Sequence, residues 1–202
     1  MAFTFFFRDR FILENLCTEL LPKFTSKNIV KVWDAGCALG QEPYTFAIIM
    51  AEMVGDKNIF GKLRITATDL DPNDTFASVV KEAVYVKYDL SRMPENILDK
   101  YFVHWDDDHY QLIDWVKNIL TFYKQDLVNL EPIDTDFDAI ICKNVLLHLS
   151  QEERINVINM FGRSLAQDGL LILEQTQPLP DECKDVFKKL NPDSSIYRKS
   201  AT

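Results

Sequence analysis

Apolar residues along this chain change their period several times, and the changes mark out its elements. Between about Phe5 and Leu21, Leu13, Leu16, Leu20 and Leu21 recur at i, i+3, i+7 and i+8, which predicts a first helix with Thr4 as its N-cap and Pro22 as its stop. Ile29-Val30-Lys31-Val32-Trp33 reads as a strand that runs into the glycine-bearing turn Asp34 to Gly40. A helix then opens at Pro43, a residue suited to the first helical position, and places Phe46, Ala47, Met50, Met53 and Val54 on one face. Leu63 to Thr68 predicts a second strand ending at Asp69, and Asp71-Pro72 predicts another short helix by N-cap and proline logic.

The texture changes from Tyr85 to Trp115, where short aromatic-rich pieces flank the turn-like Asp106-Asp107-Asp108 and predict an antiparallel hairpin. Strands at Ile119 to Tyr123 and Phe137 to Cys142 restore the earlier alternation. Ser150-Gln151-Glu152-Glu153 matches a capping box and opens a helix with Ile155, Ile158, Phe161 and Leu165 inward. Asp168-Gly169 turns into a strand over Leu170 to Leu173, and the tail from Leu179 to Tyr197 predicts a helix and a last strand. Strand and helix alternation implies an α/β fold: a mostly parallel sheet with helices on both faces and a small antiparallel insert. At 202 residues the chain is sized for one compact domain. The pattern divides it into an N-terminal helix over 1–28, a main domain over 29–202 and, inside that, an inserted β-subdomain over 84–118.

Charge adds one feature. The net charge is −9, which argues against nucleic acid as a partner, and most of the excess lies between Glu95 and Asp138, where eleven acids meet only Lys100, Lys117 and Lys124. Four cysteines, Cys17, Cys37, Cys142 and Cys183, contain no Cys-x-x-Cys pair, so they fit neither a disulfide framework nor a zinc site and predict reduced thiols with no metal centre. Met1 to Phe7 is apolar but lacks a basic start and meets Arg8-Asp9-Arg10 at once, and no apolar run has membrane-spanning length. The expectation is a cytoplasmic protein without membrane insertion.

In open α/β sheets ligands bind at the carboxyl ends of strands, so the candidate chemistry lies at Asp34 to Gly40, Asp69, Asp126 and Lys143-Asn144. A glycine turn admits a ligand close to the backbone, and an acid ending the next strand can accept both hydroxyls of a ribose. Gly36-Cys37-Ala38-Leu39-Gly40 is not Gly-x-Gly-x-x-Gly, and no Gly-Lys-Ser/Thr is present, which disfavours a dinucleotide site and excludes a P-loop. Glu42 would repel a pyrophosphate but suits an ammonium group. An amino acid joined to a nucleoside, as in S-adenosylmethionine, fits this set better. Each residue alone also has a plain structural reading: a tight turn for Gly36 and Gly40, a helix cap for Asp69, a favourable helix-dipole partner for Glu42. Their occurrence at consecutive strand ends is what favours a ligand.

Longer motifs narrow the reading. Thr4-x-Phe6-Phe7-Arg8, Val32-Trp33-x-Ala35-Gly36-Cys37-x-x-Gly40-x-Glu42-Pro43-Tyr44, Ala67-Thr68-Asp69-Leu70-Asp71 and Phe137 to Leu146 resemble, in order, the CheR-type chemotaxis receptor methyltransferases. The resemblance implies a class I methyltransferase sheet with the β-subdomain inserted in it. It implies that Thr4 and Arg8 border the methyl donor, that Ala35 and Gly36 form its turn, that Glu42 takes its amino group and that Asp69 holds its ribose. Asp126-Leu127 and Asn144-Val145 would flank the adenosine. The reaction implied is methyl transfer from S-adenosylmethionine to glutamate side chains of chemoreceptors, with S-adenosylhomocysteine as product and Arg8 as a catalytic residue.

Several positions depart from the family. The family's helical domain ahead of the Thr-x-Phe-Phe-Arg element is expected to be lacking, which turns attention to the acidic β-subdomain for docking a chemoreceptor-like substrate. His148 stands where the family has a catalytic tyrosine; it could donate a hydrogen bond as imidazole or be a polar loop residue with no chemical role. Lys143 replaces an arginine, Asp126 an asparagine, and Glu174-Gln175-Thr176-Gln177 a Gly-His-Ser-Glu turn. Two other functions stay open on this basis: a methyltransferase for a different protein or small molecule, and a donor-binding regulatory module with weak catalysis.

Overall fold

The computed structural model describes residues 4–55 and 61–200. Helix α1 (Arg10–Ser26) leads to β1 (Val30–Ala35), α2 (Gln41–Val54), β2 (Leu63–Asp69) and α3 (Phe76–Glu82). The inserted region follows as β3 (Val84–Val86), α4 (Glu95–Tyr101), β4 (Phe102–His104), β5 (His109–Leu112) and α5 (Asp114–Lys117). The chain then returns through β6 (Leu120–Lys124), β7 (Phe137–Cys142), α6 (Gln151–Ser164), β8 (Leu165–Leu173), β9 (Phe187–Lys189) and β10 (Ile196–Lys199).

Seven strands form one sheet in the order β6-β2-β1-β7-β8-β10-β9. Pairing is parallel from β6 to β8, and β10 runs antiparallel to both β8 and β9. This is the class I methyltransferase arrangement. Strand order reverses between β1 and β7, so the crevice at their carboxyl ends is the topological switch point. A second sheet, β3-β5-β4, is antiparallel throughout. The inserted region holds a third strand and the two short helices α4 and α5 beyond the expected hairpin.

Alternation along the strands explains the two-sided core. In β1, Val30 and Val32 face a core shared with α1, α2 and the small sheet, whereas Trp33 and Ala35 face α6. Leu170 and Ile172 of β8 join the first core, and Leu171 and Leu173 the second. Trp33 packs edge-on to Phe161 at 5.2 Å, and its indole N–H donates to Thr68 Oγ1 at 2.9 Å, which satisfies a fully buried donor. Helix α2 departs from the expected single apolar face: it is buried from Pro43 to Ala51, packed between α1, the sheet and the small subdomain, while Met53 is exposed.

Other elements differ from their sequence expectations for identifiable reasons. Phe7 and Asp9 adopt left-handed φ angles of 61° and 51°, so residues 6–9 turn and α1 begins only at Arg10, with Asp9 rather than Thr4 at its N-cap position. Pro22 lies within α1 and does not stop it. A proline inside a helix costs about 3 kcal/mol, and the helix continues past it to bury Phe24, a contribution of about 1.5–3 kcal/mol. Asp71 does cap the following helix, but from a distance: its carboxylate accepts the N–H groups of Thr75 and Phe76, and α3 starts at Phe76 rather than at Pro72. The expected tail helix is a single 3-10 turn at Asp181–Cys183, followed by the antiparallel pair β9 and β10. The capping box at Ser150 forms with both its hydrogen bonds.

The acidic run does not gather into one patch. Asp138 is fully buried and accepts from Lys31 N–H while pairing with Lys23 of α1 at 3.1 Å and with Lys27, just past the end of α1, at 2.8 Å. Asp134 pairs with Lys31, Asp114 with Lys117, and Asp106 with His109 Nδ1. No helix among the described residues is long and apolar enough to cross a membrane, and all four cysteines are free and buried.

Candidate functional site

The carboxyl end of β1 is shaped by its backbone. Gly36 and Cys37 donate their N–H groups to Thr68 O at 2.7 and 3.1 Å, which pulls the turn onto the end of β2. Gly36 sits at φ +104°, and a Cβ there would lie 2.1 Å from Val145 Cγ2. The glycine therefore lets the loop after β7 close over the turn after β1. Overpacking of this kind costs about 1–3 kcal/mol. Gly36→Ala is thus expected to lower unfolding free energy in urea by about that amount, and adding Val145→Ala should recover part of the loss.

Asp69 braces the same turn. Its Oδ2 accepts Ala38 N–H at 2.9 Å and its Oδ1 accepts Asp71 N–H at 3.2 Å. The small sheet supports the far end of the turn through Tyr85, whose hydroxyl donates to Leu39 O at 2.8 Å. Half of the ten left-handed non-glycine residues among the described residues lie near this turn or on the segments that meet it: Phe7, Asp9, Ala38, Asp71 and Asn144. Strained backbone of this kind persists where surrounding structure over-determines it, commonly at functional sites.

The N-terminal segment crosses from the small sheet to this rim. Phe6 is fully buried edge-on to Tyr85 at 4.8 Å and to Phe102 at 5.3 Å, and its N–H donates to Asp89 O. Phe7 N–H donates to Thr45 Oγ1 on α2. The two aromatic residues of the motif thus anchor the segment. Arg8 then reaches the loop after β7, where its Nη2 donates to Asn144 Oδ1 at 3.1 Å.

Together these pieces enclose a cavity of about 450 Å³ at the switch point, within the range of small-molecule sites. Thr4, Arg8, Gly36, Glu42, Asp69, Asp126, Leu127, Asn144, Val145 and His148 all line it. Ala35 does not: it is buried in the core facing α6. His148 is exposed, on a 3-10 turn over Leu146–His148. Asp126 also caps the turn that follows it, accepting Val128 N–H at 3.0 Å. The apolar wall at Leu70 and Val128 was not read from the sequence. For Leu70 the signal was available, since it directly follows the end of β2.

Lys143 changes the electrostatics of the floor. Its side chain is 1% exposed, and Nζ lies 2.7 Å from Glu42 Oε2 and 2.8 Å from Asp9 Oδ2. Burial works against the ammonium, but Glu42 and Asp9 outweigh it and raise the pKa above the ordinary lysine value. Asp34 lies beneath, fully desolvated, with no hydrogen-bond partner for either carboxyl oxygen. Burial first, then Glu42 and Asp69, push its pKa well above the carboxylate range, against the pull of Lys143. A carboxyl with a raised folded pKa stabilises the protein fully below its unfolded pKa of about 4 and loses that contribution as pH rises towards the folded value. Asp34→Asn is expected to remove this downward slope of stability above pH ~4, measured by urea unfolding across a pH series.

The family model for the CheR methyltransferase SAM-binding domain matches residues 2–196. The chain belongs to this family. Among curated relatives, the chemotaxis protein methyltransferase of Borreliella burgdorferi is 28% identical over 183 residues, covering 87% of this chain and 64% of that protein. The chemotaxis protein methyltransferase of Vibrio parahaemolyticus is 31% identical over 180 residues, with the same coverages of 87% and 64%. That of Listeria monocytogenes is 30% identical over 172 residues, covering 83% of this chain and 62% of its own length. The chain thus spans somewhat less than two thirds of these relatives. The matched domain is one that binds S-adenosylmethionine, and the CheR site here has the right chemistry for it. A carboxylate ends β2, the apolar side chains of Leu70, Leu127, Val128 and Val145 line the cavity, and Glu42 adds a second carboxylate to its lining.

Proposed function

We propose that this chain is an S-adenosylmethionine-dependent methyltransferase that converts glutamate side chains of chemoreceptors to γ-methyl esters. The observation that carries the reading is the convergence of Arg8, Glu42, Asp69, Asn144 and His148, from separate segments of the chain, on one cavity at the switch point. In this reading Asp69 holds the ribose, Asp126-Leu127 and Asn144-Val145 flank the adenosine, Glu42 meets the ammonium group, and Thr4 and Arg8 border the reacting end. S-adenosylmethionine held there supplies a sulfonium methyl, so that a carbon–sulfur bond breaks as a carbon–oxygen bond to the acceptor carboxylate forms and S-adenosylhomocysteine leaves.

The protein's own task is alignment. A glutamate carboxylate is already ionised near pH 7, so no general base is required. Arg8 orients the incoming carboxylate, and its existing bond to Asn144 keeps the guanidinium from neutralising the nucleophile completely. His148, exposed at the mouth, donates a hydrogen bond to the acceptor. Positioning of this kind is worth roughly 7–11 kcal/mol of barrier. The acceptor protein docks with help from the acidic β-subdomain, whose exposed tip carries Asp107 and Asp108, and the reaction takes place in the cytoplasm.

Incubation with labelled S-adenosylmethionine and chemoreceptor-containing membranes should transfer label to receptor-sized bands and release methanol under mild alkali. Alkali-stable label, or label on small molecules alone, would refute the reading. Arg8→Ala should reduce turnover by roughly ten- to a hundredfold, the value of a hydrogen bond to a charged group.

A further inference from the structure

Beyond Arg8 itself, one buried acid bears on where that guanidinium lies. Glu174 follows β8 directly and is 7% exposed. Its Oε2 accepts the Asn144 N–H at 2.9 Å, whereas its Oε1 is buried with no hydrogen-bond partner. Asn144 is held at φ 59°, a left-handed conformation that a non-glycine residue adopts at a cost. That conformation accompanies the contact from Arg8 Nη2 to Asn144 Oδ1 at 3.1 Å. Three segments that are remote in sequence are thus joined in a line: the end of β8, the loop after β7 and the N-terminal turn. Glu174 does not line the cavity.

We propose that Glu174 is a positioning residue: by accepting the Asn144 N–H it fixes the left-handed turn that presents Asn144 Oδ1 to Arg8, and so sets the position of the guanidinium at the acceptor end of the cavity. The inference deepens the transferase reading and rests on it for the acceptor's identity. A buried carboxylate with one oxygen satisfied and the other unpaired is costly to keep where an apolar side chain would pack. Its one hydrogen bond restrains the residue that contacts Arg8. A charged acceptor also forms a stronger bond to an amide N–H than a neutral one does.

The test uses the full chain with Glu174→Ala, Glu174→Gln, Arg8→Ala and the Glu174→Ala/Arg8→Ala pair. Glu174→Ala is expected to lower kcat for the acceptor roughly tenfold, with S-adenosylhomocysteine affinity within about threefold of the parent. Glu174→Gln, which keeps an acceptor oxygen, should recover most of the loss. In the Arg8→Ala background, Glu174→Ala should add less than about twofold, because its effect passes through Arg8. Equal losses in both backgrounds, or a parallel fall in donor affinity, would overturn the proposal and mark Glu174 as merely structural. Side-chain NMR of Arg8 and hydrogen exchange at Asn144 keep the two readings apart. If no acceptor is methylated by the parent protein, the function fails. The positioning role still stands if Glu174→Ala, but not Glu174→Gln, shifts the Arg8 signals and speeds exchange at Asn144; it falls if neither variant changes them.

Discussion

Replacing Asp69 with alanine is expected to weaken S-adenosylhomocysteine binding by at least about a hundredfold, measured by titration calorimetry. A hydrogen bond to a charged group is worth about 1.5–3 kcal/mol, and the carboxylate would make two to a ribose. A second contribution comes from the turn itself. Asp69 Oδ2 accepts Ala38 N–H at 2.9 Å, so its removal also releases the loop that closes the cavity. Asp69→Asn separates the two effects. It keeps one acceptor oxygen, which can serve either Ala38 or the ribose but cannot replace the whole carboxylate. Its affinity should fall between those of the parent and the alanine variant. If Asp69→Ala binds the product as tightly as the parent, the placement of the ribose at the end of β2 is wrong.

Asp69 also shows why part of this site could be read from sequence. Strands of the parallel sheet announce themselves as short apolar runs, and the residue after each run falls at the carboxyl edge, so Gly36, Asp69, Asp126 and Asn144 were located by counting. Ala35 was placed one residue too far out. It is still in β1, and strand alternation turns it into the core against α6. The N-terminal motif was legible as a motif but not as a shape. Its apolar residues continue a helical period, whereas Phe6 is drawn onto Tyr85 and Phe102 of the small sheet, and the turn at Phe7 to Asp9 carries Arg8 to Asn144. Contacts between residues this remote in sequence leave no local trace. The same holds for charge: Asp134 and Asp138 extend an acidic run in sequence, yet the fold delivers Lys31, Lys23 and Lys27 to them. Pairing between distant elements, not linear density, decides which acids remain available to a partner.

Counting places Lys143 at the carboxyl end of β7 but gives no sign of its partners Asp9 and Glu42, and its replacement by methionine should give the largest loss of stability. Breaking a buried ion pair by removing one partner costs about 3–5 kcal/mol, since the remaining charge stays desolvated. Glu42, within 2.7 Å of Nζ, is the group left exposed to that penalty. Urea unfolding at neutral pH should report the loss as a lower midpoint with an unchanged slope. The pH dependence gives an independent check. Burial lowers the Lys143 pKa, but Glu42 and Asp9 raise it further, so the folded value lies above the unfolded one. Its contribution is therefore complete below the unfolded lysine pKa of about 10.4 and is lost as pH rises through the folded value. The parent should lose stability in that alkaline window more steeply than Lys143→Met. Donor binding then connects stability to function. With Lys143 gone, the ammonium group of S-adenosylhomocysteine becomes the counter-charge available to Glu42, so saturating ligand should raise the melting temperature of the variant more than that of the parent. Equal ligand-induced shifts in the two proteins would show that Glu42 does not meet the ammonium group, and would move that end of the donor elsewhere in the cavity.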